Sequence, residues 1–155
     1  MAEQATIRIL IVDEHDAVRR GLVTALAVVD DLRVVGEATS GAEALRLCGE
    51  LQPDVVLMEI RLPDQDGVCT IRRIRRQFPL TQVVVLTTVP AADLRQHAAA
   101  AGARGYLPKF VALDELTAVI RAAHAASCAE AGPHPPGDHQ RGSEPGAPTT
   151  EPSQE

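Results

Sequence analysis

The chain has no tryptophan, one tyrosine and two phenylalanines in 155 residues. Phe78, Tyr106 and Phe110 cannot fill a domain interior, so the core must be built from aliphatic side chains. The same shortage removes the aromatic platforms on which single-stranded nucleic acids stack. A formal net charge of −6 argues against a surface made for phosphate backbones. Cysteines are few: Cys48, Cys69 and Cys128 are odd in number and widely spaced, with no Cys-x-x-Cys pair. That pattern suits a reducing cytoplasm better than a disulfide framework or a zinc site. No stretch reaches about 18 consecutive apolar residues, and no cationic segment leads into an apolar run with a cleavage site. Neither a membrane span nor a secretory leader is expected, and the protein reads as cytoplasmic.

Large apolar side chains are missing altogether from one region. Ala129 to Glu155 contains no Ile, Leu, Val, Phe, Met, Tyr or Trp, yet holds six of the eleven prolines and four of the eleven glycines. Such a stretch cannot bury enough surface to offset the entropy of ordering it. Residues 129–155 therefore read as a disordered acidic tail, and residues 1–128 as one domain near the commonest domain size.

Within those residues the organising stretch is Asp54 to Gly67. The apolar run Val55 to Met58 ends in an acid, Glu59, and is followed by the turn signals Leu62-Pro63 and Asp66-Gly67. A short apolar run bounded in this way predicts a buried strand of a parallel sheet. Further strands are expected at Ile7–Val12, Leu32–Gly36, Gln82–Leu86 and Arg104–Leu107. Helical spacing covers Val18–Val29, with Asp16 as N-cap, and Gly41–Leu51, where Ser40 and Glu43 make a capping box. It recurs over Val68–Gln77, Asp93–Ala101 and Leu113–Ala126. Strands alternating with helices imply a parallel, doubly wound α/β sheet. The arginines Arg72, Arg73, Arg75 and Arg76 fall largely off the apolar face of their helix and read as a solvated face.

The carboxyl ends of parallel strands share one edge, the edge at which open α/β sheets bind ligands. Asp13-Glu14 follows the first strand, Glu59 the third and Thr87 ends the fourth, while Lys109 follows the fifth. Three carboxylates in one crevice repel each other unless a cation sits among them, and all-oxygen ligation suits Mg²⁺. A lysine and a threonine hydroxyl facing them are suited to phosphoryl oxygens. No Gly-rich phosphate loop follows any strand and no nucleophile–base set converges, which disfavours an enzyme of another kind. His15, beside the acidic pair, is the one candidate general base.

With these residues in view the chain resembles a receiver domain of two-component response regulators. The resemblance is strongest to receivers of the DNA-binding class that carry a C-terminal helix-turn-helix. It rests on Ile9-Leu-Ile-Val-Asp13, Asp54-Val-Val-Leu-Met58, Arg61-Leu-Pro-Asp-Gln-Asp-Gly67, Val85-Leu-Thr87, Gly102-Ala-Arg-Gly-Tyr-Leu107 and Lys109, and covers roughly residues 6 to 127. It implies a five-stranded, flavodoxin-like (βα)5 fold with strand order 2-1-3-4-5. It also implies a non-enzymatic signalling module: Glu59 at the phosphoacceptor position, Mg²⁺ held by Asp13, Glu14, Glu59 and the Arg61 carbonyl, phosphoryl oxygens bound by Thr87 and Lys109, and Tyr106 as the aromatic that reports the switch. Implied partners are a histidine kinase or phosphotransfer protein and a downstream protein, and a homodimer is allowed.

Two residues depart from the family pattern. Glu59 stands where the family has its phospho-accepting aspartate, and Glu14 where the second metal-binding aspartate is usual. Each adds one C–C bond, about 1.5 Å of reach, in a site where Mg²⁺ demands near-ideal octahedral geometry. Misplacement by about 1 Å costs on the order of a hundredfold in rate. The expectation is a stand-alone receiver acting through protein–protein contacts, with weak Mg²⁺ binding and phosphorylation impaired or mimicked by Glu59. The alternative is an active, Mg²⁺-dependent phosphoacceptor. No helix-turn-helix follows the last helix, so direct nucleic-acid binding is not expected.

Overall fold

The computed structural model describes residues 6–88 and 91–131. Five strands, β1 (Ile7–Val12), β2 (Leu32–Ala38), β3 (Val55–Met58), β4 (Gln82–Thr87) and β5 (Gly105–Pro108), form one sheet in the order β2-β1-β3-β4-β5. Every pairing is parallel. The helices are α1 (Asp16–Ala27), α2 (Gly41–Leu51), α3 (Gly67–Gln77), α4 (Ala92–Ala101) and α5 (Leu113–Ala131).

The side-chain alternation of the strands divides the interior in two. Leu10, Val12, Val56, Met58, Val83 and Val85 meet Ala44 and Cys48 of α2, Ile71 and Ile74 of α3, and Ala98 of α4. Ile9, Ile11, Val55, Leu57, Val84 and Leu86 meet Leu26 of α1 and Leu116 and Ile120 of α5. Successive residues of a strand face opposite sides, so a strand covered on both faces must be apolar throughout. All four residues of β3 are buried. Each such side chain stabilises the fold by about 1.5–3 kcal/mol relative to exposure.

Several local expectations are corrected. Asp16 is not the N-cap of α1: His15 occupies that position with extended backbone, and Asp16 turns its carboxylate to Arg19 one turn on. Ser40 does accept from Glu43 N at 3.1 Å, but the Glu43 carboxylate reaches past it to Thr39 N at 2.8 Å. β2 continues through Gly36 to Ala38, with a register shift against β1 between Ile9 and Leu10. A Cβ at Gly36 would lie 2.7 Å from Leu51 Cδ1, so this glycine marks close packing rather than a strand end. The last helix runs to Ala131, past Ala126 and past the boundary expected at residue 128. Ala129, Glu130 and Ala131 are good helix formers and prolong it. The remainder of the expected tail, 132–155, lies outside the described residues.

Candidate functional site

The strand ladder itself sets the site. Past the end of β1, Asp13 N donates to Ala38 O at 3.0 Å. Past β3, Glu59 N donates to Val12 O at 2.9 Å, and past β5, Lys109 N donates to Thr87 O at 3.1 Å. Each functional side chain is thus anchored within a residue of a strand of the sheet, which fixes its position far better than a free loop would.

Four of the expected residues converge. Lys109 Nζ lies 2.6 Å from Asp13 Oδ2 and 2.7 Å from Glu59 Oε1. Thr87 Oγ1 donates to Glu59 Oε2 at 2.8 Å, and the Arg61 backbone N–H donates to the same oxygen at 2.9 Å. Asp13, Glu59 and Thr87 are all buried. Burial by itself would lower the Lys109 pKa, but hydrogen bonds to Asp13 and Glu59, together with their charges, outweigh it and leave the value raised. The ammonium is therefore a fixed charge between two buried carboxylates.

Glu14 does not join them. Its side chain is exposed, with its carboxylate 4.0 Å from His15 Nε2. His15 instead faces Asp13, donating its backbone N–H to Oδ1 at 2.8 Å and placing Nδ1 at 3.1 Å from the same atom. Among the described residues no three Asp, Glu, His or Cys side chains are grouped closely enough to hold a metal ion. The expected Mg²⁺ donor set is chemically suitable but not assembled, because a lysine ammonium stands between the two carboxylates that would share the ion. Arg61 contributes its N–H to Glu59 and pairs with Asp66 in an isolated antiparallel bridge.

That bridge closes the loop after β3, and Gly67 is what lets it close. A Cβ there would fall 2.0 Å from Ile60 O. Asp66 caps α3 by accepting from Val68 N at 2.9 Å, and Asp64 accepts from Gly41 N and Ala42 N at 2.8 and 3.0 Å, tying the loop to α2. Two contributors were not singled out in the sequence. Arg19 donates to Asp13 O at 2.6 Å, bracing the acidic turn from α1. Arg95 of α4 stands over the Tyr106 ring, 5.1 Å from its centroid. Neither could be found from spacing, because both partners belong to different elements. Tyr106 is buried on β5, and burial raises its phenol pKa.

A parallel sheet in this order, with an acid, a threonine and a lysine gathered at its carboxyl edge, is the architecture of a signal-receiving domain. The response regulator receiver domain family matches residues 9–121, and the chain belongs to it. Similar proteins include the response regulator GacA of Pseudomonas viridiflava, 42% identical over 115 residues, 74% of this chain and 54% of that protein. The transcriptional regulatory protein LiaR of Bacillus subtilis is 38% identical over 117 residues, 76% of this chain and 56% of that protein. The chain thus spans about half the length of the curated relatives it matches. Among solved structures, the signal receiver domain of the response regulator NarL from Mycobacterium tuberculosis superposes with a TM-score of 0.70 at 31% identity, over 79% of this chain and 97% of that one. Receiver domains generally bind Mg²⁺ at the phosphorylation site and work with histidine kinases and downstream partners. No helix among the described residues is long and apolar enough to cross a membrane.

Proposed function

We propose that the chain is a receiver module of a two-component system in which Glu59 fills the phosphoacceptor position and holds the switch in one state. It acts through contacts with protein partners, with phosphorylation impaired or mimicked. The observation that carries this reading is the set of three donors on one carboxylate. Lys109 Nζ, Thr87 Oγ1 and Arg61 N all lie within 2.9 Å of a Glu59 oxygen. In this reading Thr87 and Lys109 are the groups that would otherwise take phosphoryl oxygens, and the longer side chain brings a carboxylate to them directly.

The magnitudes are compatible. A hydrogen bond to a charged group contributes about 1.5–3 kcal/mol. Two conformations of a switching protein are separated by a few kcal/mol. A permanent Glu59–Lys109 contact with Thr87 as second donor is therefore strong enough to choose between them.

Phosphorylation would require a Glu59 oxygen to attack the phosphorus of a donor, forming an acyl phosphate and releasing the donor's leaving group. Both Glu59 oxygens are already engaged, and the reach of the side chain differs from that of aspartate. Treatment with a small-molecule phosphodonor and Mg²⁺, read by intact mass, tests the reading. The wild type should stay unmodified, while Glu59→Asp should gain one phosphoryl group. Stoichiometric modification of the wild type would favour an active phosphoacceptor instead.

A further inference from the structure

At the amino edge of the sheet, opposite the Glu59 site, lies a cavity of about 420 Å³. One wall is Gln52, Pro53 and Asp54, between α2 and the start of β3; the other is Phe78, Pro79, Leu80 and Thr81, between α3 and β4. The walls are held in place. Thr81 Oγ1 donates to Pro53 O at 2.8 Å, and the Arg75 guanidinium donates to Pro79 O and Thr81 O at 2.8 and 2.7 Å. Leu80 is 61% exposed, one of three large apolar side chains left in the open among the described residues. A groove that presents an aromatic ring, two prolines and a leucine beside the polar Gln52, Asp54 and Thr81 offers an apolar surface of the kind that proline-rich, polyproline II segments dock against.

The chain itself carries such a segment, and its origin is close by. Ser127 Oγ on α5 donates to Leu80 O at 2.8 Å, so the last turns of that helix pack against the groove's rim. From Ser127 to Ala131 the helix advances only about 6 Å. Gly132-Pro133-His134-Pro135-Pro136-Gly137 follows at once. A polyproline II path advances about 3.1 Å per residue, so a tether of a few residues beyond Ala131 is long enough to span to a groove beside Leu80.

We propose that residues 133–136 of this chain dock into the groove formed by Pro53, Phe78, Pro79 and Leu80, so that the acidic segment folds back on its own domain. The short tether gives an effective concentration in the millimolar range, so docking needs only weak intrinsic affinity. The contact lies on the edge away from Glu59 and does not depend on the function proposed for that site.

Amide NMR of the full chain tests it, comparing wild type with Pro135→Ser/Pro136→Ser and, separately, with Leu80→Asn, a change at an exposed position. Both variants should move the amides of Phe78, Leu80 and Thr81 and those of Gly132 and Gly137, by amounts that do not vary with protein concentration. A synthetic peptide of residues 132–140 added to the double-proline variant should return the Phe78, Leu80 and Thr81 signals towards their wild-type positions. The proposal is overturned if the proline changes shift only residues near themselves. It is also overturned if the shared shifts grow with protein concentration, which would make a second copy the occupant.

Discussion

Lys109 Nζ sits 2.7 Å from Glu59 Oε1 while remaining within 2.6 Å of Asp13 Oδ2. One ammonium thus bridges two carboxylates that would otherwise be buried side by side. Removing one partner from a buried ion cluster costs about 3–5 kcal/mol, because the remaining charge is left uncompensated. Lys109→Met should lose stability on that order, measured by urea unfolding near neutral pH. The raised Lys109 pKa gives the sign at high pH. Its contribution is complete below the unfolded value of about 10.4 and is lost as pH rises through the higher folded value. Wild type should show this alkaline loss, and Lys109→Met should lack it.

Mg²⁺ should bind weakly. The acidic charge is present, but Glu14 is exposed beside His15 and Lys109 competes for Asp13 and Glu59. Calorimetric titration should give a low affinity that Glu14→Asp increases, because a shorter side chain suits octahedral ligation better here. Tight binding by the wild type would contradict the geometry.

The three cysteines should separate cleanly by reactivity. Cys48 is buried in α2, and burial pushes its thiol up to about 12, so its reactive thiolate is scarce at neutral pH. Cys69 and Cys128 are exposed. Native alkylation followed by mass measurement should label two sites quickly and the third only on unfolding.

The strands, their parallel arrangement and the edge that carries the chemistry were legible in the sequence because they follow from local signals, whereas the strand order came from the resemblance to receiver domains. Buried strands read as apolar runs, and parallel connectivity brings their carboxyl ends together. Asp13, Glu59, Thr87 and Lys109 could be placed at one edge on that basis alone. Glu14 could not be separated from Asp13, because adjacent residues past a strand share a position but not a direction. The contacts of Asp64 and Arg19 were invisible for another reason. Asp64 meets Gly41 and Ala42, and Arg19 meets Asp13 O, only once the elements have packed. The end of α5 was misplaced because alanine-rich sequence loses its apolar stripe before it loses its helix propensity.

The central claim is that the Glu59 carboxylate, through Lys109 and Thr87, sets the state of the domain. Amide NMR of β4, β5 and α5 in wild type, Glu59→Gln and Glu59→Asp, each with and without phosphodonor and Mg²⁺, tests it most directly. Glu59→Gln removes the charge while keeping the side chain's length, and should shift Thr87, Tyr106 and Lys109 together. Glu59→Asp should take the unmodified domain to the same altered state and, once phosphorylated, return that face towards the wild-type spectrum. If Glu59→Gln leaves the signals of that face unchanged, Glu59 does not hold the switch and the account is wrong.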